Sequence, residues 1–126
     1  MKIKFSRTWE KSKQPRKQRK YRYKAPLHIK TKFMAAHLSK ELRQKHNKRS
    51  FPVRKGDKVQ VMRGQFKKKI GKIARADLKK SKVYIEGIEI MKKDGTKTLY
   101  PINPSNLLIL EFNLDDKKRV QTLKRK

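Results

Sequence analysis

The first fifty residues hold eighteen lysines and arginines against two acids, Glu10 and Glu41. Like charges at that density repel one another, so the segment cannot close into a compact domain of its own in water. The excess runs on through the chain, which carries a net charge of +29 over 126 residues. A strongly anionic partner has to lie against it, and polyphosphate matches such a charge density best. Composition does not separate RNA from DNA.

The charge is unevenly spread. Residues 51–116 hold 15 bases and 8 acids and come nearest to balance, whereas residues 117–126 hold six bases and no acid. The same middle stretch gathers the candidate core: Val59, Val61, Ile70, Ile73, Val83, Ile85, Ile88, Ile90, Leu99, Leu107, Leu108, Ile109, Leu110 and Phe112. About sixty residues suffice for one small, marginally stable domain, with basic arms that a partner orders. The absence of cysteine excludes disulfides and thiolate zinc sites, as suits a reducing cytosol. No apolar run approaches the roughly 20 residues of a membrane helix. Met1-Lys2-Ile3-Lys4-Phe5 leads into no apolar segment, so no secretory leader is expected. The basic start also lacks the serine richness of a transit peptide.

Four segments follow from the patterning. Residues 1–24 form a basic extended arm, too poor in apolar surface to offset its own ordering entropy. Phe5, Trp9, Tyr21 and Tyr23 are spaced among its bases, where rings can stack on unpaired nucleobases or pack back on the domain. Residues 25–50 read as a basic helical segment, one kinked helix or two short ones. Pro26 suits a first helical position, and Ile29 and Phe33 begin a thin apolar stripe continued by Met34, Ala35 and Ala36. Ser39 is the expected N-cap of a second helical stretch, with Glu41 in its first turn and Asn47 as its stop. A basic helix can also serve a membrane or calmodulin, but this apolar face is narrow and broken.

Residues 51–113 turn to strands. Val59 and Val61 alternate with Lys58 and Gln60, the period of a half-buried strand. A turn over Gly64–Lys69 presents three consecutive lysines before a second strand from Ile70 to about Ala76-Asp77. A third is expected over Val83–Ile90 with a bulge or sharp bend at Gly87, and Asp94-Gly95 is a strong hairpin signal leading to a fourth at Lys97–Ile102. Asn103-Pro104-Ser105-Asn106 makes a turn before the fifth, Leu107–Phe112. Five short strands in so few residues predict a mainly β fold, a small closed barrel, because closure removes exposed edges. The remaining 114–126 reads as a basic, mobile tail.

No constellation reads as an active site. Ser, His and Asp occur without any nucleophile setting, and glycines 56, 64, 71, 87 and 95 sit at strand ends and turns rather than in a phosphate loop. His28, His37 and His46 recur every nine residues, not at the i, i+4 spacing of a helical metal pair. Glu86 and Glu89 are expected to balance nearby lysines. No metal, cofactor or small-molecule substrate is expected, and no membrane partner. The functional signal is the basic array, densest at Arg16, Lys17, Arg19, Lys20, Arg22 and Lys24, with too few acids to screen it.

Two stretches carry a resemblance. Val59-Gln60-Val61-Met62-Arg63-Gly64, continued by Lys67 and Ile70-Gly71-Lys72-Ile73, resembles a KOW motif, the strand–turn–strand unit of RNA-binding SH3-like barrels. Its turn commonly holds a Lys-Gly pair, and here the second place is Lys68, where a glycine would permit positive φ. Ala25-Pro26, His28-Ile29, Leu38 through Lys45, Asn47, Arg49-Ser50, Pro52, Arg54-Lys55 and Asn103-Pro104-Ser105-Asn106 look more specifically like the large-subunit ribosomal protein family numbered 24 in the universal scheme and 26 in eukaryotes, in its archaeal form. The likeness spans about residues 20–115. It implies a five-stranded SH3-like KOW barrel that binds the 5′ domain of large-subunit rRNA early in assembly, near the polypeptide exit tunnel and beside other ribosomal proteins, without self-association. The rRNA contacts it implies are Arg7, Arg16, Lys17, Arg19, Lys20, Arg22 and Lys24 in the arm, and His28, Lys30, Lys32, Lys40, Arg43, Lys45, Lys48 and Arg49 in the helical segment. Beyond these lie Arg54, Lys55, Arg63, Gly64, Lys67, Lys68, Lys69 and Lys72. A KOW-type transcription elongation module remains the alternative, although such factors carry a further domain and a more acidic balance. A nucleoid-type DNA-compacting protein follows from charge alone.

Overall fold

The computed structural model describes residues 5–125; the reading of Met1–Lys4 as free of an apolar leader lies outside them. Regular structure begins with α1 (Pro15–Lys24) and α2 (Leu27–Phe33), followed by strand β1 (Ala35–Leu38), α3 (Lys40–His46) and β2 (Ser50–Pro52). Six further strands follow: β3 (Lys58–Val61), β4 (Ile70–Asp77), β5 (Lys82–Ile85), β6 (Glu89–Met91), β7 (Lys97–Leu99) and β8 (Leu107–Glu111). A 3₁₀ turn at Pro104–Asn106 leads into β8, and α4 (Lys117–Lys124) closes the chain. No described helix is long and apolar enough to cross a membrane.

The fold is mainly β, but its main sheet is not the expected closed five-stranded barrel. Six strands run in the order β2-β1-β8-β3-β4-β5 and leave β2 and β5 as edges, while β6 and β7 form a separate ribbon. The additional strands have two origins. Met34, Ala36 and Leu38 are buried at alternate positions, so the stretch expected to continue a helix is the extended strand β1. It lies parallel to β8 and antiparallel to β2. The single strand expected over residues 83–90 is split, because Gly87 takes a left-handed φ of 77° and turns the chain between β5 and β6.

Several sequence signals are realised as read. Ser39 caps α3 by accepting a bond from the Leu42 amide, and Asn47 ends that helix in the left-handed region. Asp94-Gly95 turns β6 into β7, with the Thr96 hydroxyl and amide both donating to Asp94 Oδ1. Those bonds, the hydroxyl first, hold the Asp94 carboxyl below the usual carboxylate range. The core keeps Val59, Val61, Ile73, Val83, Ile85, Ile88, Leu107 and Ile109 and adds Met34, Ala36, Leu38, Phe51, Val53, Ile102 and Leu123. Ile70 and Ile90 fall outside it and are exposed. Glu86 and Glu89 are exposed, and among the described residues neither pairs with a lysine.

Helices stand at Pro15–Lys24 and Lys117–Lys124, where an extended arm and a mobile tail were expected. Pro15 fits the first turn of α1, and Arg, Lys and Gln are good helix formers, so part of the basic arm is helical rather than extended. Its hold on the rest is aromatic: Tyr21 stacks on Trp9 with ring centroids 4.1 Å apart and meets Phe33 of α2 edge-on at 6.1 Å. The tail is helix α4, capped by Asp116 and anchored by the buried Arg119 and Leu123.

Two backbone positions give testable costs. A Cβ on Gly71 would lie 2.6 Å from the Glu86 carbonyl oxygen and 2.7 Å from Ile85 Cγ2, because the chain at the end of β5 passes closely over β4 there. Gly71→Ala should destabilise the protein by about 1–3 kcal/mol in urea titration, the usual cost of overpacking; an unchanged midpoint would refute the close approach. Lys68, where a glycine was expected, has φ 70°. Relief of left-handed strain, about 1–2 kcal/mol, exceeds the entropy cost of glycine, about 0.5–1 kcal/mol. Lys68→Gly should therefore raise the urea midpoint, and a lowered one would contradict this account of the turn.

Candidate nucleic-acid interface

None of the residues expected to contact polyanion is buried, and only Lys24, Lys30 and Lys48 are even half-covered. Among the described residues there are three salt bridges, Arg54–Asp116, Lys58–Glu111 and Arg119–Asp57. Among those described, Arg54 is thus the only expected contact residue that a carboxylate engages. Among the described residues the other lysines and arginines of the set present unneutralised charge, the state in which phosphate binding releases most counterions.

The fold sorts these residues into clusters. Arg16, Lys17, Arg19, Lys20, Arg22 and Lys24 lie around α1, which buries none of its residues and carries no acid. Arg7 precedes that helix, and His28, Lys30 and Lys32 follow on α2. The Arg22 guanidinium sits 5.5 Å from the Phe33 ring centre, so one base of α1 is tied to α2. Phe5 and Trp9 pack on Tyr21 rather than standing free among the charges.

A second cluster surrounds α3. Lys40, Arg43 and Lys45 lie on it and Lys48 and Arg49 just after it, with the Arg43 Nε donating to the Leu38 carbonyl at 2.8 Å. Lys48 Nζ donates to the Thr122 carbonyl of α4. Lys45 and His46 share a surface groove with Lys124 and Arg125. Sequence reasoning could not place the tail bases beside this cluster, because a tail expected to be mobile has no location. Burial, then Lys45 and Lys48, lower the pKa of His46, whose ring meets Phe112 edge-on.

The third cluster is the turn between β3 and β4, with Arg63, Gly64, Lys67, Lys68 and Lys69 exposed and Lys72 on β4 beyond it. Its backbone is pinned at both ends, since the Lys68 amide donates to the Val61 carbonyl at 2.8 Å and the Val61 amide to the Lys69 carbonyl at 2.9 Å. The lysines therefore project from a rigid base. Arg54 and Lys55 occupy the loop between β2 and β3, where Arg54 binds Asp116. That bond first, and then the Lys118 amide, hold the Asp116 carboxyl below its usual range. The carboxylate stays charged, and keeps α4 capped, until the pH falls through that lowered value. His28, His37 and His46 lie on α2, β1 and α3, on separate elements, and no group of three metal-ligating side chains occurs among the described residues.

A mainly β scaffold whose exposed bases are almost all unscreened defines a class: a basic structural protein built to lie against polyphosphate. Comparison with known proteins narrows the class. Residues 12–126 match the model of a family described as the eukaryotic ribosomal proteins L26 and their archaeal counterparts numbered 24. The chain is 51% identical over 115 residues to the large ribosomal subunit protein uL24 of Methanosphaera stadtmanae, covering 91% of this chain and 98% of that one. The chain belongs to this ribosomal protein family, whose members are structural proteins rather than enzymes.

Proposed function

We propose that this chain is a structural constituent of the large ribosomal subunit in the cytoplasm, where it binds rRNA without catalysing a reaction. The observation that carries the reading is the near end-to-end match to a protein named for that subunit. The unscreened charge of α1, α3 and the turn before β4 supports it, because each is free to meet phosphate. In this reading β3, the following turn and β4 form the KOW unit of an SH3-like fold, and its lysines grip the backbone of rRNA. The RNA is the 5′ domain of the large-subunit rRNA, met early in assembly and near the exit tunnel. The basic arm fills space between RNA helices, and neighbouring ribosomal proteins cover part of the surface.

Co-sedimentation tests the assignment. The protein should travel with large subunits through sucrose gradients at modest salt. Release from the subunits under those conditions, with retention on polymerase or bulk DNA, would overturn it.

A further inference from the structure

The Asn103-Pro104-Ser105-Asn106 turn has no part in the charge argument. In the fold it faces the β3–β4 turn across a cleft of about 190 Å³. Phe66 and Tyr100 wall the cleft, both half-buried, with ring centroids 5.2 Å apart and planes inclined by 54°. Arg63, Lys82, Asn103 and Asn106 are among the residues that also line it. Lys82 Nζ donates to Asn103 Oδ1 at 2.8 Å, which leaves the Asn103 amide nitrogen with both protons to give. The Asn106 amide donates to the Asn103 carbonyl at 3.0 Å and the Asn106 carbonyl accepts from the Met62 amide at 2.8 Å. That turn is therefore fixed to the end of β3, and among the described residues the Asn106 side chain makes no hydrogen bond.

We propose that the cleft receives a single unpaired nucleotide of the bound RNA, a site that rests on the rRNA-binding reading above and deepens it. The base lies against the Phe66 and Tyr100 rings, its edge meets the two asparagine amides, and its phosphate meets Arg63 and Lys82. Three properties select this occupant. The volume is below the roughly 300–1,000 Å³ of sites for drug-sized ligands, and suits one flat ring system. The two cations favour an anion, and the paired amides favour a group with both donors and acceptors along one edge. Nucleotides extruded from bulges and loops stack on aromatic side chains in this way, whereas bases inside a duplex present no free face.

The test uses the full chain and two RNA hairpins of equal length and charge, one fully paired and one with a single bulged 2-aminopurine. The bulged RNA should bind about tenfold more tightly, within the range one base–ring stack contributes, and its fluorescence should fall as the probe stacks. Tyr100→Ala should abolish the preference while leaving affinity for the paired hairpin unchanged. Asn103→Ala, at an exposed position that cannot unfold the core, should reduce the preference several-fold. Equal affinity for the two hairpins overturns the site, as does a preference that both variants leave intact. Failure to bind either hairpin instead sinks the RNA-binding reading itself.

Discussion

Arg119→Met is expected to destabilise the free protein by about 3–5 kcal/mol, the cost of leaving a buried charge without its partner. Asp57 is fully buried and the Arg119 side chain is 4% exposed. The guanidinium grips the carboxylate with two bonds, Nη1 to Oδ1 and Nη2 to Oδ2, each 2.6 Å. It also donates to the carbonyls of Asn113 and Pro52, at 2.7 and 3.2 Å. Asp57 in turn accepts from the Arg54 and Asn113 amides, both at 2.9 Å. The guanidinium carbon lies 5.6 Å from the Phe51 ring centre and 5.3 Å from that of Phe112. One side chain of α4 thus joins the loop before β3 to the end of β8.

Because native domains hold only about 5–15 kcal/mol in total, the variant should sit near its unfolding threshold. Urea titration should give a large fall in midpoint, and a loss below about 1 kcal/mol would contradict the role assigned to the pair. Arg119→Lys should not rescue it, since an ammonium cannot form the two-pronged contact. Asp57→Asn combined with Arg119→Met should recover much of the loss, because the unpaired charge is then gone.

Lys67→Ala, Lys68→Ala and Lys69→Ala together are expected to weaken RNA binding by roughly 500-fold at about 0.1 M salt, on the scale that loss of three phosphate contacts implies. If each lysine neutralises one phosphate, counterion release contributes about 0.9 per contact to the logarithmic salt slope, so three contacts flatten it by about 2.7. The three side chains are exposed, and the bonds that pin the turn run through backbone atoms that alanine retains. Binding curves at several salt concentrations therefore read the interface rather than the fold. An unchanged slope would remove the turn from the contact set, and a lost fold by circular dichroism would show that the lysines brace the turn.

Much of the strand region was legible because its signals are local. The alternation at Val59 and Val61, the Asp94-Gly95 dipeptide and the apolar run before Phe112 each report the pairing state of their own few residues. The cap at Ser39 and the stop at Asn47 were legible for the same reason. Strand β1 was not. Ile29 and Phe33 set a helical spacing that ran on into Met34, Ala35 and Ala36, and nothing nearby announces that β8, far along the chain, supplies the bonds that make this stretch extended. Helix α4 was missed because Val120 and Leu123 are too few to mark a buried face, and the anchor of Arg119 is a carboxylate 62 residues away. The basic surface divides in the same way. Its bases could be counted from the chain, but their neighbours could not: Lys124 and Arg125 come beside Lys45 only through the packing of α4.

Net charge does not depend on conformation, and so the sequence by itself determined that this protein must meet a polyanion. The alternation of its middle stretch likewise determined a small β domain. Tertiary structure alone decided that the sheet is open with six strands. It decided that the tail is a helix locked by Arg119 on Asp57, and that Phe66, Tyr100 and the asparagine turn enclose a cleft. Each of these depends on contacts between residues far apart in the chain, whose enthalpy offsets local preference and whose partners no local period can name.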